Sequence, residues 1–290
     1  MLTYEGRVYR PPSEARSLIV QATVGCSHNT CSFCGMYKGE AFYVKDQDQL
    51  MRELEEEART YQGYNRAFIA DGDALCLSTD RLVALCQKIK VLFPGIRRIG
   101  IYATAKDVNR KSLENLKTLK DQGLGMVYMG VETGSRDLLK EIKKDASPED
   151  YLKAGGKLKK AGLKQSLTLI TGLAGHKRSL GYTKETAQLI SQMNPDYVSY
   201  LTLMLGPHAP LTQAYQKGKF TPVSPEEALA EIYLFLDAYT GKGPSVFRSN
   251  HASNYLYLGG NLPEDIPDLK DAIRKTIEME NFVGEEYRRL

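Results

Sequence analysis

The chain has 290 residues, 42% of them hydrophobic and 26% charged, enough to build a sizeable core without disulfide staples. Its net charge of +4 comes from interleaved acids and bases, which argues against a nucleic-acid binder or an anionic-membrane protein, either of which would cluster its cations. No apolar run approaches the roughly 20 residues of a membrane span, and "MLTYEGRVYRPP" at the start has no apolar leader, so a cytoplasmic protein with reduced thiols is expected.

A polar arm over 1–16, with Pro11 and Pro12, leads into the first predicted strand, "SLIVQATV" (17–24), which is short, β-branched and stopped by Gly25. A cysteine-rich loop follows. Residues 46–61 read as an amphipathic helix capped by Asp46 or Asp48. Residues 66–73 form a strand that ends in an acidic turn, and 78–93 a helix stopped by Pro94-Gly95. The alternation continues with a strand at 97–104, a helix at 109–123, a strand at 125–133 and a helix at 135–144. A second helix over 147–162 has Ser147 as cap and Pro148 at its first position. A strand at 164–175, a helix at 179–193 and a sixth strand at 197–205 complete the series. Beyond it come a long loop, a helix over 224–240, a polar loop at 243–263 and a helix near 265–280.

Strands followed by helices at short spacing imply βαβ units and a parallel sheet. Right-handed crossovers would wrap such a series into a barrel or an open sheet. The preferred reading is α/β, a partial (β/α)6 TIM-type barrel. Its parts are an arm (1–16), a core (17–205) and a C-terminal helical and loop extension (206–290) covering the barrel mouth. Chemistry would gather at the carboxyl edge of the strands.

The loop after the first strand, "TVGCSHNTCSFCGMY", holds Cys26, Cys31 and Cys34, and the chain has only two other cysteines. Clustered thiols in a reducing compartment are metal ligands more often than disulfides. Zinc would need a fourth ligand such as His28. The spacing, four residues and then two, equals the plant-type [2Fe–2S] run, which would require Cys76 as fourth ligand. Cys86 lies on an apolar helix face and reads as core. The third option is a [4Fe–4S] cluster with three thiolates and one iron open to a small molecule.

With that loop the sequence resembles the radical S-adenosylmethionine (SAM) superfamily, whose members carry a cysteine trio after the first strand of a partial barrel. Phe33, the aromatic before the third cysteine, fits as well. Most of the superfamily has three residues between its first two cysteines, whereas here there are four, "SHNT". The resemblance continues at successive strand ends. "DGD" (Asp71, Gly72, Asp73) stands where the superfamily contacts the amino group of SAM. "MGVETGS", with Glu132, resembles the ribose-contacting segment of the Elp3-like tRNA-modifying enzymes and oxygen-independent coproporphyrinogen oxidases. "LITGLAGH", with Gly172 and Gly175, resembles the adenine-side segment.

The resemblance implies an oxygen-sensitive enzyme with one [4Fe–4S] cluster on Cys26, Cys31 and Cys34. SAM would be cleaved reductively to a 5′-deoxyadenosyl radical that takes hydrogen from a substrate. A reducing donor such as flavodoxin or ferredoxin is implied as partner. In the extension, Arg248, Asn250, His251 and Asn254 supply donors suited to an anionic ligand, and His208 stands after the sixth strand. A small molecule is the expected substrate, because no basic domain, peptide-recognition module or second cluster motif is visible. The alternative is a non-catalytic iron–sulfur carrier or sensor that uses Cys76.

Overall fold

Short β-branched runs bounded by glycine or polar turns form the strands of the protein, in a computed structural model that describes residues 2–289. The chain divides into two compact units. One comprises Met1–Asn29, Met36–Met129 and Lys153–Gln165; the other comprises Thr30–Gly35, Gly130–Leu152 and Ser166–Leu290.

In the first unit β1 (Leu18–Gln21), β4 (Arg66–Ala70), β5 (Arg98–Ala103) and β6 (Leu124–Glu132) lie side by side in that order and run parallel, with β2 (Thr23–Val24) and β3 (Tyr43–Val44) as a separate antiparallel pair. Residues 130–132 of β6 belong to the second unit. Val20, Ile69, Ile99, Ile101 and Val127 are fully buried, as expected of parallel strands covered by helices. Phe68 meets the rings of Tyr102 and Tyr128 edge-on at 4.9 and 5.5 Å.

Helix Gln47–Thr60 starts where Asp46 accepts the Gln49 N–H, and helix Thr79–Leu92 where Ser78 accepts that of Arg81. The helix expected over 109–123 is instead two pieces, Ala105–Arg110 and Leu113–Asp121. Thr104 and Asp107 form a capping box on the first, and the Ser112 hydroxyl accepts the Asn115 N–H at 3.0 Å and begins the second. The serine hydroxyl offers that backbone donor an alternative to a continuous helix.

The second unit contains β7 (Lys164–Thr171) from Ser166 onward, β8 (Tyr197–Thr202), β9 (Ser245–Ser249) and β10 (Leu258–Leu262); the first three are parallel and β10 is antiparallel to β9. Ser147 and Asp150 exchange capping hydrogen bonds ahead of helix Pro148–Lys160. Helices Thr183–Met193, Pro225–Ala238 and Ile266–Glu278 fall where the pattern predicts, and Pro210–Gln216 is an additional short helix.

The stretch read as a polar loop, 243–263, is therefore largely strand. Its inward positions, Ser245, Phe247 and Ser249 on β9 and Leu258, Gly260 and Leu262 on β10, are buried in alternation. Phe247 joins Tyr200 and Phe235 in an aromatic cluster, 6.3 and 6.5 Å between centroids. Among the described residues no helix is long and apolar enough to cross a membrane.

Candidate functional site

In the first unit, the acidic turn after β4 grips the start of the cysteine loop. Gly72 donates its N–H to the Gly25 carbonyl at 3.1 Å. The buried Asp73 carboxylate accepts the Ser27 N–H at 3.0 Å and the Ser27 hydroxyl. A Cβ on Gly72 would lie only 2.4 Å from Cβ of Cys26, so only glycine lets the two segments approach this closely. Gly25 itself sits at φ +80°.

Asp71, at φ +72°, is buried, and its carboxylate accepts Gln21 Nε2 at 2.7 Å and the Tyr37 hydroxyl at 3.3 Å. Burial outweighs those hydrogen bonds and pushes its carboxyl up to about 6. Burial, and after it Asp71, pushes the Tyr37 phenol far above its ordinary range. Both acids of the "DGD" turn thus have protein partners: Asp73 fixes Ser27 beside Cys26, and Asp71 binds Gln21 and Tyr37. Cys76 is half-buried, and burial, then the Asp73 and Asp107 carboxylates, push its thiol up to about 12. Cys86 is buried on its helix face among Leu82, Leu85 and Ile89.

In the second unit, residues 30–35 are held from two sides. The Ser32 N–H donates to the Ile142 carbonyl at 2.9 Å, and the Ser32 carbonyl accepts from Leu211 N–H at 2.8 Å. Gly35 admits the Pro207 carbonyl oxygen at 2.4 Å from where a Cβ would be. Phe33 packs on Leu138, Ile142, Leu173 and Ala174, which makes it a hydrophobic anchor of the segment between Cys31 and Cys34.

Glu132 closes β6 at φ +68°, an uncommon conformation for a residue with a side chain. Its carboxylate accepts from Lys144 Nζ at 2.7 Å, with both side chains nearly buried. Burial alone would lower the lysine, but the Glu132 carboxylate outweighs it and holds the ammonium above its ordinary range. Tyr151, fully buried beside this pair, donates its hydroxyl to the Gly130 carbonyl at 3.2 Å. Lys144 was not singled out from the sequence; its signal is only its place about one turn past the end of the short helix Arg136–Glu141.

Gly172 and Gly175 both adopt positive φ, +82° and +78°. A Cβ on Gly172 would come within 2.7 Å of Val223, and one on Gly175 within 2.8 Å of the Thr221 carbonyl oxygen. The close approach that these glycines permit is made by the chain's own residues 220–223.

The residues chosen from the extension all lie in the second unit. His208 is exposed at φ +67° in the loop after β8. Arg248 is exposed on β9, and its guanidinium donates to the Phe247 and Gly260 carbonyls at 2.7 and 3.3 Å. Asn250 is exposed, while His251 is half-buried against the Ser253 hydroxyl at 2.9 Å, its imidazole lowered by burial. Asn254 is buried; it accepts the Thr202 hydroxyl at 3.1 Å and donates to the Tyr200 carbonyl at 2.8 Å, so its amide secures β8.

Cys26 belongs to the first unit, and Cys31 and Cys34 to the second. None is in a disulfide, and all are partly exposed. Among the described residues no three cysteine, histidine, aspartate or glutamate side chains gather as a metal-ligand group. The donor chemistry, three thiols on one loop, nevertheless suits an iron–sulfur cluster. So does the glycine-lined contact at Cys26, because it fixes the first thiol's backbone independently of any metal.

Comparison with known proteins gives a consistent set of likenesses. The family model "Radical SAM superfamily" matches residues 20–190. The curated protein "Heme chaperone HemW" of Bacillus subtilis is 26% identical over 217 residues, 72% of this chain and 55% of that protein. The protein of the same name from Buchnera aphidicola (Schizaphis graminum) is 26% identical over 191 residues, 62% of this chain and 49% of its own. The chain thus spans about half the length of the curated relatives it matches. Among solved structures, coproporphyrinogen III oxidase (HemN) from Escherichia coli superposes with TM-score 0.57 at 20% identity, covering 77% of this chain and 53% of that one. Methylornithine synthase (PylB) superposes with TM-score 0.53 at 18% identity, covering 93% of this chain and 83% of that one. These likenesses identify the fold as α/β, a partial TIM-type barrel, in agreement with the βαβ reading of the sequence.

Proposed function

The chain belongs to the radical SAM superfamily, whose cofactors are a [4Fe–4S] cluster and SAM, and on that premise we propose that it is an enzyme that cleaves SAM reductively and takes a hydrogen atom from a small-molecule substrate. The observation that carries this reading is the extent of the family match. It runs from the first strand past β7 and so contains the cysteine loop, the "DGD" turn, Glu132 and the segment 169–176.

The ligands in this reading are the thiolates of Cys26, Cys31 and Cys34. When bound, the cluster and SAM supply one-electron cleavage of a carbon–sulfur bond and a carbon radical. The chain's own residues have the simpler tasks of holding, orienting and excluding water. Asp73 and Gly72 fix the backbone at Cys26, and Phe33 anchors the segment between the other two ligands. Glu132 offers acceptors to ribose hydroxyls, and Lys144, a buried cation on the same carboxylate, complements the carboxylate of an amino acid. Asp71 already has Gln21 and Tyr37 as partners, so it orders the turn that faces the SAM amino group. Residues 206–290 cover the substrate, with His208, Arg248, Asn250 and His251 as its polar contacts and Asn254 as their support. A flavodoxin or ferredoxin supplies the electron. The curated relatives are named heme chaperones, so heme belongs among the first ligands to be titrated against candidate metabolites.

The test is electron paramagnetic resonance of the anaerobically reduced, reconstituted protein. Added SAM should perturb the cluster signal, because one iron lacks a protein ligand. An unchanged signal in Cys26, Cys31 and Cys34-dependent cluster would overturn the reading. The carrier alternative is separated by Cys76→Ala, which a fourth ligand would not survive and the enzyme should tolerate with full iron content.

A further inference from the structure

One helix of the C-terminal region makes a set of contacts that none of the roles above uses. Glu227 and Glu231 lie one turn apart on helix Pro225–Ala238, and therefore on one face. Both reach into the loop that follows β7. Glu231 accepts the Gly172 N–H at 2.8 Å, and the same carboxylate oxygen accepts the Ser179 hydroxyl. Glu227 accepts the Lys177 N–H at 3.0 Å and faces His176 Nδ1 at 2.8 Å. The His176 N–H donates to the Thr221 carbonyl at 2.8 Å. The loop from 172 to 179 is thus tied at its beginning, middle and end to one helix and the strand of chain that leads into it.

Gly172 is the first residue beyond β7, where the ladder no longer supplies an acceptor for its N–H. Its left-handed backbone and missing Cβ let Val223 close over it, and the buried residue's amide is satisfied by the Glu231 carboxylate. The Glu231 oxygen therefore defines the orientation of the first peptide of the turn, and the Ser179 hydroxyl holds the same oxygen in place.

We propose that Glu231 is a positioning residue for SAM: it sets the Gly172 peptide and with it the shape of the turn that receives the adenosyl end. This rests on the proposed function and on the resemblance of residues 169–176 to the superfamily's adenine-side segment. Glutamine keeps an acceptor oxygen at the same reach; alanine removes it, and aspartate withdraws it by one methylene.

The test compares SAM binding by equilibrium dialysis in anaerobically reconstituted wild type, E231A, E231D and E231Q, with iron content and melting temperature measured on each. The expected result is about a tenfold weaker SAM affinity in E231A and E231D at wild-type iron content, and recovery to within about threefold in E231Q. Should E231A not fold, the contrast between E231D and E231Q decides alone. Wild-type affinity in E231A or E231D overturns the role of Glu231 and leaves the enzyme reading standing. Failure of the iron-loaded wild type itself to bind SAM overturns both.

Discussion

Gly72→Ala probes the grip on the first cysteine most sharply. The added methyl would stand 2.4 Å from Cys26 Cβ, 2.8 Å from its Cα and 2.9 Å from its Sγ. Carbon contacts settle at roughly 3.5–4.0 Å, so the two segments must part by about 1 Å. They cannot part freely, because Gly72 N–H is bonded to the Gly25 carbonyl at 3.1 Å and Asp73 holds the Ser27 N–H at 3.0 Å. Overpacking costs about 1–3 kcal/mol, and weakening two hydrogen bonds adds about 1 kcal/mol, which together predict a loss of about 3 kcal/mol. Urea unfolding of the metal-free chain measures that loss, and iron per chain after anaerobic reconstitution measures the displaced thiol, with less than half the wild-type content expected. Gly156→Ala is the control: it lies in helix Pro148–Lys160 with nothing within 4 Å of the new methyl, and should gain up to about 1 kcal/mol. Wild-type stability and iron in Gly72→Ala would refute the reasoning.

Two further outcomes follow from buried charges. Glu132→Gln leaves the Lys144 ammonium without its carboxylate and should cost about 3 kcal/mol in urea unfolding, whereas a loss below about 1 kcal/mol would show that the pair carries no such weight. Burial, opposed by the Ser179 and Gly172 hydrogen bonds and assisted by the Glu227 charge, pushes Glu231 up to about 7 from 4.5. A carboxyl raised on folding favours the folded state below 4.5 and loses that contribution as pH rises through 7. Stability measured across this window should therefore fall with pH in the wild type and fall less in Glu231→Gln; equal slopes would count against it.

The elements whose local chemistry agreed with their surroundings were legible from the residues. The caps Asp46, Ser78 and Ser147 begin helices, and the short apolar runs at 18–21, 66–70 and 197–202 are strands, the first two largely buried and the third buried at alternate positions. The β9–β10 pair was not legible, because Arg248, Asn261 and two glycines dilute its apolar alternation, and burial of Ser245 and Ser249 is set by pairing with distant strands. At the candidate site the cysteine spacing and strand-end motifs pointed to the family. What they could not show is which atoms the motif residues touch. Asp71 and Asp73 spend their carboxylates on Gln21, Tyr37 and Ser27, and Gly172 and Gly175 make room for residues 220–223. Lys144 and Glu231 escaped notice because a lysine just past a helix or a glutamate on one usually marks a solvated face, and only tertiary contact reveals burial.

The central claim is that one iron, left without a side-chain ligand, lets SAM dock and be split. Anaerobic incubation of the reconstituted protein with SAM and dithionite, followed by chromatographic assay for 5′-deoxyadenosine, tests it most directly. The account predicts that product from the wild type and its loss when Cys26, Cys31 or Cys34 is replaced by alanine. Protein that carries its full complement of iron yet yields none would contradict it.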